Sequence, residues 1–311
     1  MLFIDPLVDD GNLFAVVIEL IRQHSEISMS QFIPFKQVDV FTSSAFNGNP
    51  LAVIMQADGL SDSQMADIAR WTNLSETTFV LPATDAAADY RLRIFTPDYE
   101  LPFAGHPTLG SAHALLEAGI ACKNAGQIVQ QCGVGLVTIN IADDGSLAFA
   151  APAATLTPYS DALLTSALNS DAFDQQQPVM VADMGIRWLL VPMLSAEAVL
   201  AIKPNPADLE RLQQHANVNG VMPFGPLAEG DEQYEVRGLL IEQGSLTEDP
   251  VTGSANACLA RYFQQQGKND DYRVRQGTAM QRNGRVQVSY KNDDIWIGGQ
   301  TVTVIDGTIR L

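Results

Sequence analysis

The chain has 311 residues, 46% hydrophobic and 17% charged, which is enough apolar material for a globular core in one large or two medium domains. Asp and Glu total 36 against 18 Lys and Arg, and the net charge of −18 argues against nucleic acid or an anionic membrane as partner. No run reaches the roughly 18 apolar residues of a membrane helix, and three cysteines without zinc spacing (Cys122, Cys132, Cys258) favour a reducing, cytoplasmic setting.

The chain begins with a segment that does not match a globular pattern. Its short apolar run, Leu13 to Ile21, has acidic residues upstream and neither a basic region nor a small-residue cleavage site, so it makes a poor signal peptide. A globular pattern starts directly after Met29 with QFIPFKQVDVF. We therefore expect residues 1–28 to be an N-terminal extension, with a docked helix as the alternative.

A helix and then a strand are predicted next. Ser61 and Gln64 have capping-box spacing, which predicts a helix over residues 62–71. SETTFVL is typical of a strand, whose alternation places Glu76 on a mostly apolar face. A carboxylate on such a face has a raised pKa and can act as a general acid or base near neutral pH. The alternative is an exposed strand glutamate.

One phrase occurs twice in the chain. GHPTLGSAHALL, residues 105–116, reads as a sharp turn that enters a helix, and EDPVTGSANACL, residues 248–259, nearly repeats it. His106 aligns with Asp249, an offset of 143 (249 minus 106), and six of the eleven aligned positions are identical. YRLR precedes the first copy as YEVR precedes the second, and a β pattern follows each. Three elements in the same order predict a duplication, with two similar domains that each wrap strands around a helix.

The remaining elements support an alternation of strands and helices. Asp-Asp-Gly at 143–145 and Asn-Gly at 283–284 are hairpin signals. RWLLVPM at 187–193 reads as a strand, whereas TPYSDALLTSAL and NPADLERLQQHA read as helices.

The two predicted helix starts are candidates for binding a small anion. Each start presents unpaired N–H groups and a partial positive charge, and a pseudo-twofold would bring both to one cleft. Small residues near both starts allow other backbone to approach closely. The alternative reading is two ordinary loop-to-helix turns.

His106 and Asp249 are the polar side chains at these phrases. His106 can carry a proton, donate a hydrogen bond or bind a metal, although a structural histidine is the alternative. Asp249 suits an N-cap, a role that does not exclude catalysis. A metal site of Glu76, His106 and Asp249 has no supporting local spacing, so no metal is predicted. No phosphate-loop, dinucleotide, zinc-protease or serine-hydrolase motif is present, so no cofactor is predicted.

Four segments together resemble the PhzF family of phenazine-biosynthesis isomerase-like proteins: VDVFTSSAFNGNPLAVI, LSETTFV, RIFTPDYELPFAGHPTLGSAHAL and EDPVTGSANACLARYF. The resemblance runs from about residue 32 to the C-terminus. It implies an α+β fold of two pseudo-symmetric diaminopimelate-epimerase-like domains, each a β-barrel-like sheet around a central helix, with the active site in the cleft between them. We expect residues 29–145 and 295–311 to form the first domain and residues 146–294 the second. The resemblance also implies a homodimer.

The resemblance further implies a cofactor-free isomerase. Glu76 would remove a proton from an activated carbon of a small cyclic or amino carboxylic acid and return it elsewhere on a conjugated system. His106 and Asp249 would orient or protonate the substrate. Four residues of the helix starts would bind it: Gly105, Thr252, Gly253 and Ser254. The phenazine enzyme of the family isomerises trans-2,3-dihydro-3-hydroxyanthranilate, but no residue here identifies a substrate.

Two alternatives to this function stay open. Epimerases of the same fold carry two cysteines at the paired helix starts, where the repeated phrase puts His106 and Asp249. This difference favours a one-base isomerase over a two-base epimerase or racemase. The other alternative is a small-molecule-binding protein that has kept the cleft without turnover.

Overall fold

The structure is a computed structural model that describes residues 32–242, 244–291 and 294–311. The predicted N-terminal extension, residues 1–28, lies outside the described residues. The strands up to the middle of the chain are β1 (Phe32–Val40), β2 (Asn49–Ile54), β3 (Thr77–Leu81), β4 (Tyr90–Phe95), β5 (Glu100–Leu101), β6 (Gln127–Cys132), β7 (Gly135–Ile141) and β8 (Leu147–Ala150). The later strands are β9 (Thr155–Pro158), β10 (Met180–Asp183), β11 (Arg187–Pro192), β12 (Gly220–Pro226), β13 (Tyr234–Val236), β14 (Gly238–Glu242), β15 (Ser245–Asp249), β16 (Tyr272–Gln276), β17 (Gly284–Lys291), β18 (Asp294–Gly299) and β19 (Thr301–Arg310). The helices are α1 (Asp62–Thr72), α2 (Gly105–Glu117), α3 (Leu163–Leu168), α4 (Ala196–Ala201), α5 (Pro206–Ala216) and α6 (Gly253–Gln265).

The strands pair in two sets that follow the same plan. The first half has the order β19-β1-β2-β3-β4-β6-β7-β8 and packs around α2. The second half has the order β9-β10-β11-β12-β13-β16-β17-β18 and packs around α6. Parallel pairs occur at matching places, β2 with β3 and β4 with β6 in one half, β11 with β12 and β13 with β16 in the other. The predicted α+β fold of two pseudo-symmetric halves, each a sheet around a helix, is confirmed.

The two halves share one continuous sheet. β8 pairs with β7 on one side and with β18 on the other, and β18 in turn pairs with β17. β8 also packs on α2, whereas β18 packs on α6. The expected domain limits at 145/146 and 294/295 lie one strand away from this junction and stay a prediction.

The central helix α2 is buried on nearly all sides because small residues let the sheet approach it. A Cβ atom added at Gly110 would lie 2.6 Å from the Leu51 side chain and 2.9 Å from that of Val40. Leu109 and Ala112 are fully buried in the same helix. Side chains of the sheet therefore pack so closely on α2 that one added methyl group would clash. The predicted approach of other backbone occurs at the start of α6, where a Cβ atom added at Gly253 would lie 3.6 Å from the Cα atom of Gly105.

Two surface helices have matching caps, and these caps show which residues of the two halves are equivalent. α1 follows the predicted capping box of Ser61, and it ends at Asn73 in the left-handed region. α5 follows Asn205, whose side chain accepts from two backbone N–H groups, and it ends at Asn217, also left-handed. Both pairs of caps are 144 residues apart (205 minus 61, 217 minus 73). The predicted helix over 62–71 is confirmed.

The other local predictions fare differently. The strand at 187–193 is confirmed as β11, and residues 143–145 form the turn between β7 and β8. Glu76 is not inside a strand, because β3 starts one residue later. Asn283 and Gly284 do not form a two-residue hairpin turn, because Gly284 already pairs with Gln276 and the connection covers the residues between them.

Candidate active site

The starts of the two central helices meet in the middle of the molecule. α2 begins at Gly105 and α6 at Gly253, and each helix has 13 residues. A Cβ atom added at Gly105 would lie 3.7 Å from the Cα atom of Gly253, so a pair of glycines allows the two helix starts to touch. The N–H groups of both first turns therefore converge on one place, as predicted, and the residues just before them are Ala104 and Thr252.

The equivalence of His106 and Asp249 is wrong. The helix starts are 148 residues apart (253 minus 105), so the counterpart of His106 at the second helix position is Ser254. Asp249 is the last residue of β15, where it pairs with Gly238 as Leu101 pairs with Ile94 in the first half. The counterpart of Asp249 is therefore Leu101.

The repeated phrase misleads because the same letters occupy different places in the two helices. Gly-Ser-Ala begins at Gly253, the first residue of α6, but at Gly110, the sixth residue of α2. The hairpin of β14 and β15 is four residues longer than its counterpart, which moves the helix register from 144 to 148. Asp249 also does not cap α6, because the residue before that helix is Thr252.

Glu76 lies at the entrance of β3 with its carboxyl group turned inward. The side chain keeps 16% of its exposure, yet its Oε2 atom is buried and has no hydrogen-bond partner among the described residues. This atom lies 3.4 Å from Nε2 of His106. Burial raises the pKa of Glu76 to about 8, and the negative charges of Asp249 and Glu242 add to the shift.

His106 is the second residue of α2, and its side chain is only 7% exposed. Burial lowers its pKa to about 3, so the imidazole is neutral at physiological pH. The positive end of the helix dipole also disfavours a charged ring at this position. The contact between Glu76 and His106 therefore joins a mostly protonated carboxyl group and a neutral ring rather than two opposite charges.

Asp249 reaches the site from the other half. Asn49 in β2 donates from Nδ2 to its Oδ1 atom at 2.7 Å and to the carbonyl oxygen of Val251 at 2.9 Å, which links the two halves. Burial raises the pKa of Asp249 to about 7, although hydrogen bonds from Thr252, Val251 and Asn49 oppose that shift. Asp249 is therefore about half ionised near neutral pH.

The loop before α6 is held by a buried glutamine that the sequence did not single out. Gln276 donates from Nε2 to the carbonyl oxygen of Asp249 at 3.0 Å and to Oγ1 of Thr252 at 2.9 Å. Its Oε1 atom accepts from the backbone N–H of Thr252 at 3.0 Å and from Asn256 at 3.1 Å. This network positions Thr252 and Asp249, and it has no local sequence signal because Gln276 lies 24 residues beyond Thr252.

A third carboxyl group completes an acidic site. Glu242, the last residue of β14, has its pKa raised by partial burial and by the charge of Asp98. Its own charge raises the pKa of both Glu76 and Asp249. Carboxyl groups that repel one another in this way take up protons more readily than isolated ones, so the site keeps at least one proton near neutral pH.

Ser254 is half-buried, and its Oγ atom accepts a hydrogen bond from the indole Nε1 of Trp188 at 3.1 Å. All seven predicted site residues thus lie at or beside the two helix starts: Glu76, Gly105, His106, Asp249, Thr252, Gly253 and Ser254. Within the described ranges, no group of three or more His, Cys, Asp or Glu side chains is arranged to hold a metal ion. No helix in that part of the chain has the length and apolarity needed to span a membrane.

The fold with its pair of facing helix starts is similar to solved structures of the isomerase and epimerase class. A phenazine biosynthesis protein of the PhzF family from Bacillus anthracis superposes with a TM-score of 0.79 at 25% identity, covering 90% of this chain and 99% of the other. A predicted epimerase from Pseudomonas aeruginosa gives a TM-score of 0.71 at 26% identity, covering 89% and 99%. A hydroxyproline epimerase from Agrobacterium vitis shares the fold, with a TM-score of 0.59 at 16% identity over 90% of this chain and 93% of that one.

The chain belongs to the phenazine biosynthesis-like family, PhzC-PhzF, whose model matches residues 38–307. An uncharacterized isomerase of Pasteurella multocida is 34% identical over 283 residues, which is 86% of this chain and 90% of that protein. Antisense-enhancing sequence 1 of Schizosaccharomyces pombe is 36% identical over 292 residues, 88% of this chain and 97% of that protein. The predicted family and the isomerase class are confirmed.

Proposed function

We propose that this protein is a cofactor-independent isomerase that moves a proton on a small cyclic or amino carboxylic acid held between the two halves. The ionised form of Glu76 takes the proton from an activated carbon of the substrate, and the protonated carboxyl group returns it at another position of the conjugated system. The homodimer and the cytoplasmic location expected from the sequence stay predictions.

The state of Glu76 carries this proposal. A general acid or base works best when its pKa lies near the operating pH, and the Glu76 pKa of about 8 meets that condition. Its buried Oε2 atom has no hydrogen-bond partner among the described residues, which leaves it available to a substrate proton. A structural carboxyl group would be paired with a cation or several donors, whereas the Glu76 Oε2 atom lies 3.4 Å from the neutral ring of His106.

His106 and Asp249 assist from opposite halves. The imidazole of His106 lies 3.4 Å from the Glu76 carboxyl group and restricts its orientation. Because the ring is neutral, it does not hold Glu76 in the ionised form as a cation would. Asp249, held by Asn49, has a pKa of about 7 and so can hold or release a proton on a polar group of the substrate. The two acids thus differ in environment, which suits two different tasks in one reaction.

Neutral donors are the groups that suit a substrate carboxylate here. The charges that shift the pKa values of Glu76 and Asp249 are all negative. A substrate carboxylate would be repelled by these charges, so its binding depends on hydrogen-bond donors and helix dipoles. The converging first turns of α2 and α6 supply N–H groups near Gly105 and Gly253, and they also stabilise charge that develops during proton transfer.

Deuterium exchange tests this function. Small cyclic and amino carboxylic acids, with trans-2,3-dihydro-3-hydroxyanthranilate among them, are incubated with the protein in D₂O and followed by proton NMR. We expect uptake of deuterium by at least one acid and a loss of about 10²–10⁴-fold in Glu76→Gln. Glu229→Gln, at an exposed position, is the matched control and should exchange as the wild type does.

Two outcomes would contradict the proposal. Full exchange activity in Glu76→Gln would remove Glu76 from its role. Acids that bind measurably but take up no deuterium with the wild-type protein would show a binding protein without turnover.

A further inference from the structure

The pseudo-symmetry identifies which residue of the second half takes the place of Glu76. Glu76 follows the left-handed cap Asn73 by three residues, and Gly220 follows the matching cap Asn217 by three residues. The strands that follow agree, because Leu81 pairs with Arg91 as Gly225 pairs with Glu235, at the same offset of 144. Gly220 is therefore the counterpart of the acid–base residue, and it has no side chain.

The space beside Gly220 is filled by Trp188. The two residues are partners in the parallel pair of β11 and β12. A Cβ atom added at Gly220 would lie 2.5 Å and 2.9 Å from two atoms of the Trp188 ring, closer than any side chain can approach. Trp188 is 1% exposed, so its ring has little room to move aside.

The same tryptophan contacts the start of α6. Its indole Nε1 donates to Oγ of Ser254 at 3.1 Å, and Ser254 is the second residue of its helix, as His106 is of α2. Each half thus sets one side chain against the second residue of its central helix, from the residue before β3 in the first half and from β11 in the second. That side chain is the carboxyl group of Glu76 in the first half and the indole of Trp188 in the second.

This exchange of groups determines how Ser254 can act. An indole N–H is a donor only, so the Ser254 oxygen is the acceptor of this bond and its own proton points elsewhere. Ser254 donates no hydrogen bond within the described part of the chain, and its side chain is half-buried at the converging helix starts. The Ser254 hydroxyl proton is therefore not used in the bond to the indole and can be donated to a ligand at the helix starts.

We propose that Trp188 is a positioning residue with two effects. Its N–H group holds the Ser254 hydroxyl as a donor for the substrate carboxylate, and its ring occupies the place where a second acid–base side chain would face Glu76. This inference rests on the proposed function, because it assigns the binding of the substrate carboxylate within that same cleft. It gives a physical reason why the cleft has one base rather than two.

Titration with acetate tests the first effect without turnover. The probe is sodium acetate, followed by the backbone amide signal of Gly253 and the indole N–H signals in ¹H–¹⁵N spectra. The variants are Trp188→Phe, which keeps a ring but removes the donor, and Ser254→Ala, which removes the hydroxyl group. Trp296→Phe in β18 is the matched control, and the overall spectra show whether each variant is folded.

We expect acetate to bind wild type and Trp296→Phe with the same Kd. In Ser254→Ala the Kd should rise about tenfold, in line with the loss of a hydrogen bond to a charged group. In Trp188→Phe it should rise about three- to tenfold, and the double variant should be no weaker than Ser254→Ala. The Trp188 indole signal should move in Ser254→Ala while that of Trp296 stays in place.

Three results would overturn the proposal: wild-type affinity in a folded Trp188→Phe, additive effects in the double variant, or no acetate shift at Gly253 in the wild type. Deuterium exchange stays a separate readout. If the wild-type protein binds acetate as expected but catalyses no deuterium exchange with any acid tested, the proposed function is refuted and the positioning of Ser254 by Trp188 still stands. If Trp188→Phe does not fold, an unmoved Trp188 indole signal in Ser254→Ala decides against the proposal.

Discussion

The two halves of the molecule share a strand plan and a central helix but carry different chemistry at the same places. The first half sets a carboxyl group, Glu76, against a neutral histidine at the start of its helix. The second half sets an indole donor, Trp188, against a serine. The second half adds its acid, Asp249, at a position where the first half has Leu101. The shared frame thus brings two helix starts together, and each half places different side chains beside them.

The largest effect should distinguish the two acids. Asp249→Asn is expected to slow deuterium exchange by about 10–10²-fold, because it removes a group that orients or protonates the substrate but leaves Glu76 as the base. Comparison with Glu76→Gln in the same D₂O assay measures the difference. Equal losses in the two single variants would contradict the division of labour between the halves.

The pH dependence of stability sharpens the same contrast. Burial raises the pKa of Glu76 from 4.5 to about 8, so the folded protein holds this proton more tightly than the unfolded chain does. The contribution of this bound proton to the free energy of unfolding is complete below about pH 4.5 and is lost as the pH rises toward 8. Glu76→Gln should therefore be more stable than wild type at pH 8 by on the order of 4 kcal/mol, with little gain at pH 4.

Urea unfolding at both pH values measures this difference. Asp249→Asn should show a similar trend over a lower pH range, because the pKa of Asp249 rises only to about 7. An identical free-energy difference between wild type and Glu76→Gln at pH 4 and pH 8 would mean that Glu76 titrates as an ordinary surface glutamate.

The smallest expected effect concerns the space beside Gly220 in the second half, which the Trp188 ring fills. Gly220→Ala would force a methyl group to 2.5 Å from the Trp188 ring and should lower the free energy of unfolding by about 1–3 kcal/mol. Gly307→Ala is the control, because nothing lies within 4 Å of a Cβ atom there. Thermal unfolding that ranks Gly220→Ala with Gly307→Ala would show that the indole does not close this position.

Much of the fold was predictable because its signals are local. The capping box at Ser61, the strand at 187–193 and the small residues of the central helices each specify their own structure. The duplication was also visible in the sequence. Glu76 and His106 were predictable too, and they contact each other between the start of β3 and the start of α2.

The register between the halves and the partners of the site were not predictable from one sequence. The four extra residues in the hairpin of β14 and β15 shift the helix start relative to the strands, so identical letters fall at different positions. Trp188 and Gln276 donate hydrogen bonds to site residues from strands that are distant in the sequence. Gly220 is informative only once its neighbour Trp188 is known. The pKa of Glu76 depends on burial and on acids from the other half, which no local motif encodes.

The central claim, that Glu76 is the base that takes the substrate proton in the cleft, is tested most directly by its titration. ¹³C-labelled glutamate side chains can be followed by NMR from pH 4 to pH 10, with Glu76→Gln to assign the signal. The structure predicts that the assigned carboxyl carbon titrates with a pKa of about 8. A pKa near the ordinary value of 4.5 would contradict the account, because Glu76 would then be a solvated carboxylate rather than a poised base.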